Sequence, residues 1–263
     1  MRVAIYQGPA APGTKAHMLD ALRQAAEQAH GADLLVLPEL FLTGYNIPPD
    51  QLRAAAEPAD GPASKAATQI ARTHNMALLY GYPEQGAEGA LHNSAVLIGP
   101  DGHIQANYRK THLFGDMERA IFTPGTQPAV LATIAGIKIG VLICYDVEFP
   151  EMVRGLALRG ADLVAVPTAL MQPYHFIPQT MVRTRAFENQ VFLAYANRTG
   201  TEGDMHYVGE SCIVAPDGAF LARAEATETL ISAELDMVQA ANSRSLNTYL
   251  ADRLPAHYIE PAP

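Results

Sequence analysis

The sequence predicts an α/β fold, and three observations carry that expectation. Runs of aliphatic and β-branched residues alternate along the chain with stretches whose apolar residues recur at helical spacing. Some of those runs are apolar almost throughout, as in Asp33-Leu34-Leu35-Val36-Leu37-Pro38, which is the pattern of a strand covered on both faces. The phrase Gly31-Ala32-Asp33-Leu34-Leu35-Val36-Leu37-Pro38 returns as Gly160-Ala161-Asp162-Leu163-Val164-Ala165-Val166-Pro167. Each copy follows a helical segment, so a pseudo-repeat of two β-rich halves is expected.

The elements follow in order. Residues 2–7 read as a strand. From Ala16 to Ala29 the apolar positions Met18, Leu22, Ala25, Ala26 and Ala29 form one helical stripe, which Gly31 ends. Strand 33–38 leads directly to Glu39. A Pro-rich loop at 47–50 precedes a helix over 62–74 and a strand over 76–82. Residues 92–99 and 103–108 flank the turn signal Pro100-Asp101-Gly102, which predicts a hairpin with Lys110 just past its second strand. The run Ile137–Ile143 is a buried strand ending at Cys144, with a helical pattern from Pro150. Strand 162–167, a helix over 175–189 and strand 191–196 come next. A second hairpin turns at Pro216-Asp217-Gly218, and strand 229–235 precedes a polar tail.

Composition narrows the possibilities. The 263 residues are 49% hydrophobic and 17% charged, which suffices for a sizeable core, and no low-complexity linker divides them. One domain over residues 1–263 is expected. No apolar run approaches the roughly 20 residues needed to cross a bilayer, and the first residues enter a strand pattern without a signal-peptide core. Two cysteines, Cys144 and Cys212, point away from a disulfide framework and toward a cytoplasmic setting. A net charge of −9 disfavours nucleic acid and anionic membrane as partners. There is no Gly-rich loop ending in Gly-Lys and no Cys/His cluster with metal-ligand spacing, so neither nucleotide nor metal is expected.

Three residues at strand ends carry chemistry. Cys144 stands where a strand turns into a helix, a place that aims a side chain out of the sheet. A lone cysteine is ordinarily a core thiol, as Cys212 is expected to be. Glu39 and Lys110 change that reading, because a thiol nucleophile needs a base and a nearby cation. Glu39 sits inside the apolar run Val36-Leu37-Pro38-Glu39-Leu40-Phe41, where a buried carboxylate requires a partner. The segments Leu37-Pro38-Glu39-Leu40-Phe41 with Gly44-Tyr45, Tyr108-Arg109-Lys110-Thr111-His112-Leu113-Phe114, and Gly140-Val141-Leu142-Ile143-Cys144-Tyr145-Asp146 with Phe149-Pro150-Glu151 resemble, in this order, the glutamate, lysine and cysteine motifs of the nitrilase (carbon–nitrogen hydrolase) superfamily. Glu118, ahead of Phe122-Thr123-Pro124-Gly125, falls where that family has a second glutamate.

The resemblance implies a four-layer α-β-β-α sandwich, no cofactor, and homo-oligomers in which the C-terminal tail (about 236–263) packs at a dimer interface. It also implies a Glu39–Lys110–Cys144 triad that cleaves a small-molecule amide. Tyr145, Glu148, Thr168 and Ala169 are the expected substrate-binding positions, with Met171, Tyr174 and Phe176 on loops that rim the pocket. By residue type, Glu39 takes the thiol proton, Lys110 favours the anion, the Tyr145 backbone N–H meets the oxyanion, and Glu118 orients Lys110 or the substrate. A papain-like Cys–His pair finds no local signature around Cys144, and His112 reads as a structural hydrogen-bonding residue. An N-carbamoyl hydrolase or a nitrilase with the same triad, and a catalytically silent scaffold, are the alternatives to an amidase. Nitrilases usually follow the cysteine with Trp-Glu, whereas Tyr145-Asp146 stands here. Omega-amidase-like relatives carry Arg where this chain has Glu148, which argues against a carboxylate-bearing substrate and for a neutral or amine-bearing short amide.

Overall fold

The computed structural model describes residues 1–10 and 13–258. Strands β1 (Arg2–Gln7), β2 (Leu34–Val36), β3 (Ala77–Gln85), β4 (Leu91–Ile98) and β5 (Ile104–Arg109) form a first sheet, completed on its far edge by β14 (Thr229–Glu234). Strands β6 (Val130–Ile134), β7 (Ile137–Val141), β8 (Leu163–Pro167), β9 (Phe192–Ala196), β12 (Cys212–Val214) and β13 (Phe220–Arg223) form a second sheet of six. A separate hairpin, β10 (Thr199–Glu202) and β11 (Met205–Val208), leans toward the site described below.

Alternation along the strands explains the layering. In β1 and β2, Val3, Ile5, Leu34 and Val36 join a cluster shared with the second sheet, while Ala4, Tyr6 and Leu35 pack under helices α1 (Lys15–Gln28) and α3 (Pro62–His74). Both faces are dry, as the near-continuous apolar runs predicted. The helices begin and end where local chemistry dictates. The Thr14 side chain accepts the His17 N–H at the start of α1, Pro62 occupies the first position of α3, and Asn75 closes α3 in the left-handed region. Helices α5 (Pro150–Leu158) and α6 (Val182–Asn189) cover the second sheet through Val153, Leu156, Val182 and Ala186. Gly140 in β7 lets α5 approach closely, because a Cβ there would lie 2.8 Å from Leu156. The result is the expected α-β-β-α sandwich, with each fully buried aliphatic side chain contributing about 1.5–3 kcal/mol.

The repeated phrase corresponds to a repeated topology. From β14 inward, the first sheet pairs antiparallel, parallel, parallel, antiparallel, antiparallel. From β6 inward, the second sheet repeats that order. The two copies of the phrase form β2 and β8, third in their respective sheets, so Glu39 and Thr168 occupy equivalent positions just after them.

Some segments differ from the sequence reading. Helices α2 (Pro49–Ala55) and α4 (Gly115–Ile121), strand β6 and the β10–β11 hairpin lie where only connections were read. Each is short, four to seven residues, too few for a clear periodicity. The helix expected over 175–189 is α6 preceded by one π-type turn at Ile177–Met181. The polar tail contains helix α7 (Met237–Leu246), capped by the Asp236 side chain, while its last residues, 259–263, lie outside the described residues. None of the described helices is long and apolar enough to cross a membrane.

Candidate active site

The carboxyl ends of β2, β5, β7 and β8 bring Glu39, Lys110, Cys144 and Thr168 together at the seam between the sheets. The seam itself is stitched by the Glu39 N–H, which donates to the Thr168 carbonyl at 3.3 Å. Glu39 follows β2 in a tight turn with Leu40 in the left-handed region (φ 46°). Gly81 in β3 makes room for this turn, since a Cβ there would lie 2.7 Å from the Glu39 Cα. Arg198, only 2% exposed, donates Nε (3.1 Å) and Nη2 (2.7 Å) to the Glu39 carbonyl and Nη2 also to that of Leu40. A buried guanidinium thus fixes the backbone that carries the carboxylate.

Lys110 is buried between two carboxylates. Its Nζ donates to Glu39 Oε1 at 2.7 Å and to Glu118 Oε1 at 2.6 Å, with all three side chains at 0% exposure. Glu118, on α4, also accepts the Tyr45 hydroxyl at 2.6 Å and the Phe114 N–H at 2.9 Å. Asn93 donates to Glu39 Oε1 at 2.6 Å, while Glu39 Oε2 is buried with no hydrogen-bond partner among the described residues. Burial opposes the Lys110 ammonium, but the carboxylates of Glu118 and Glu39 outweigh it and raise its pKa well above the ordinary lysine range. Burial pushes the Glu39 carboxyl upward, Lys110 opposes that, and Glu118 adds to it, leaving the group above its usual value.

Cys144 opens a 3-10 turn, Cys144–Glu148, with its backbone in the left-handed region (φ 46°), a conformation that costs a residue with a Cβ about 1 kcal/mol or more. Asp146 holds the turn. Its buried carboxylate accepts the Ile143 N–H (3.2 Å), the His112 N–H (2.9 Å) and the Tyr108 hydroxyl (2.9 Å), and contacts His112 Nδ1 at 2.8 Å. These contacts to Asp146 are the hydrogen-bonding role expected of His112, and its ring also stacks on Phe149 at 3.8 Å. Burial and the neighbouring Glu39 charge push the Cys144 thiol well above its ordinary pKa, against Lys110, the Thr168 hydroxyl and the Ala169 N–H, which favour the anion. Burial thus favours the protonated thiol.

A small cavity of about 30 Å³ lies over Cys144 and is walled by Tyr45, Phe114, Tyr145, Met171 and Tyr174, with Glu148 on its lining. That is well below the roughly 300–1,000 Å³ of drug-sized sites, so only a small ligand fits it. Of the rim residues expected from sequence, Phe176 is not on this wall; its ring is 61% exposed to solvent. Cys212, in β12, is fully buried in the core. Sequence reasoning missed Asn93, Arg198 and the link from Tyr45 to Glu118. A polar residue interrupting the apolar pattern of β4 was the available signal for Asn93.

Comparison with known proteins agrees with this geometry. The carbon–nitrogen hydrolase family model matches residues 2–245. The chain is 49% identical to a hydrolase in the pqqF 5′ region of Pseudomonas protegens, over 98% of this chain and 90% of that protein. It is 37% identical to an (R)-stereoselective amidase of a Pseudomonas species, over 96% and 91% respectively. An amidase from Nesterenkonia sp. AN1 superposes with a TM-score of 0.86 at 38% identity, over 97% of each chain, and in that structure acrylamide has added to the active-site cysteine. A cysteine at a strained strand end, a lysine bridging two buried carboxylates and a sequence match along nearly the whole chain lead to one conclusion: the chain belongs to the carbon–nitrogen hydrolases of the nitrilase superfamily and is an enzyme of that class.

Proposed function

We propose that this enzyme is an amidase that hydrolyses a small carboxamide to the carboxylic acid and ammonia through a thioester on Cys144. The observation that carries this reading is the buried Glu39–Lys110–Glu118 bridge beside Cys144 at the end of the neighbouring strand. The unpartnered Glu39 Oε2 takes the thiol proton, and burial, which holds its carboxyl above the usual range, favours it as a proton acceptor. The Cys144 sulfur forms a bond to the amide carbon, whose oxygen becomes an oxyanion. The third N–H of Lys110, uncommitted among the described residues, and the Tyr145 backbone N–H meet that charge. Glu39 returns its proton to the nitrogen, the C–N bond breaks and ammonia leaves. Glu39 then deprotonates a water that attacks the thioester, releasing the acid and restoring the thiol. Glu118 holds Lys110 in place throughout, and Thr168 and Ala169 donate toward sulfur.

The test is ammonia release from a short amide, its nitrile and an N-carbamoyl amine, with Cys144→Ala as control. Turnover of the amide, with loss of about 10³-fold or more in the variant, is the expected outcome. Preference for the carbamoyl compound or the nitrile assigns the enzyme to a neighbouring branch with the same triad. No turnover of any of them, and no thioester on Cys144 by mass spectrometry, favours a scaffold. We further infer that residues 1–263 form one domain and that the segment from about residue 236 packs between copies of the chain. Leu246, Val238 and Leu254 support this, being 82%, 64% and 61% exposed on α7 and the segment after it.

A further inference from the structure

Glu148 is the feature that the proposed reaction leaves unused. It closes the 3-10 turn begun by Cys144 and lines the same cavity, yet its carboxylate accepts no hydrogen bond and forms no ion pair among the described residues. The cations nearby are committed elsewhere. Lys110 is held between Glu39 and Glu118. Arg185 gives Nε to the Val147 carbonyl (3.0 Å), Nη2 to the Glu148 backbone carbonyl (2.7 Å) and Nη1 to Glu188 (3.0 Å). Burial pushes the Glu148 carboxyl up to about 6, against the more distant pull of Lys110 and Arg185, so it is ionised above neutrality and lacks a counter-ion. Counting Glu39, Lys110, Glu118 and Glu148, the cavity and its base are net negative. Tyr45, Phe114, Tyr145 and Tyr174 supply the rest of the wall, and aromatic rings attract cations.

We propose that Glu148 selects a substrate whose acyl portion carries a positive charge, an aliphatic carboxamide with a primary ammonium group, over neutral and carboxylate-bearing amides of the same shape. This rests on the amidase reading for its chemistry, although the recognition itself does not require turnover. An ammonium supplies the hydrogen-bond donors and the charge that the carboxylate lacks, and it sits against aromatic walls without displacing any existing pair. A carboxylate in the same position meets Glu148 without a free cation to offset the repulsion.

Binding and turnover together test the idea. Calorimetry at pH 8 on the Cys144→Ala variant compares 4-aminobutanamide, pentanamide and glutaramate, and is repeated in a Cys144→Ala/Glu148→Gln background. Ammonia release by the native enzyme is followed for the same three amides. The expected result is binding of 4-aminobutanamide about tenfold or more tighter than pentanamide, with glutaramate weakest. With Glu148→Gln that ratio collapses toward one, and because each ratio is read within one protein, a general loss of affinity cancels. Equal binding of the charged and neutral amides, or a preference that survives Glu148→Gln, overturns the proposal. A preference that depends on Glu148 but is accompanied by no ammonia from any amide upholds the proposal and fails the amidase reading instead.

Discussion

Lys110 is the residue on which the site's electrostatics turn. Its ammonium is the shared donor to Glu39 and Glu118, and neither carboxylate is exposed. Replacing it with methionine keeps the bulk but leaves two buried carboxylates facing each other. The expected loss is about 3–5 kcal/mol, read as a lowered urea midpoint, whereas Cys144→Ala is expected to unfold within about 1 kcal/mol of the native enzyme. A Lys110→Met protein as stable as the native one contradicts the charge arrangement described here. Glu39, Lys110 and Cys144 could be singled out in the sequence because each stands in a distinctive local phrase just past a strand, and Glu118, on α4, from its place in the family pattern. Asn93 and Arg198 were not, because their partner Glu39 is 54 and 159 positions away, and the polar interruption of β4 at Asn93 does not say which residue it meets.

At the scale of elements, the β10–β11 hairpin acts on the site from a distance. Glu202, at the end of β10, accepts the N–H groups of Tyr45 (3.0 Å) and Asn46 (2.8 Å) and the Tyr207 hydroxyl (2.6 Å). Tyr45 in turn gives its hydroxyl to Glu118, the partner of Lys110. Glu202→Gln keeps one acceptor oxygen where the loop uses two, so the Tyr45 loop loosens. The expected consequence is a fall in kcat of about 10- to 100-fold with an unchanged far-ultraviolet circular dichroism spectrum, since small misplacements of this kind are costly to rate. An unchanged kcat removes the hairpin from any positioning role. The longer strands and α1, α3 and α5 were readable from periodicity alone. This hairpin was not, because its strands are four residues each and largely polar, and tertiary contacts stabilise them.

For the whole molecule, the apolar residues left on α7 and the segment after it predict association. Sedimentation velocity at micromolar concentration is expected to give at least a dimer, and Leu246→Glu combined with Leu254→Glu to shift it to a monomer. A native monomer at that concentration contradicts the inferred packing. The pseudo-repeat was legible from eight residues, but that each half delivers different chemistry from the equivalent strand end was not. After β2 the chain presents a carboxylate, Glu39, and after β8 a hydroxyl, Thr168, bonded to each other only through backbone. In the proposed mechanism the base belongs to one sheet and the nucleophile to the other. The distance over which a proton must pass is therefore set by how the two sheets lie against each other, and not by the shape of either. On that mechanism the reaction rate becomes a gauge of sheet alignment, because a slippage of one sheet over the other separates base from thiol while leaving the hydrogen bonds within each sheet in place.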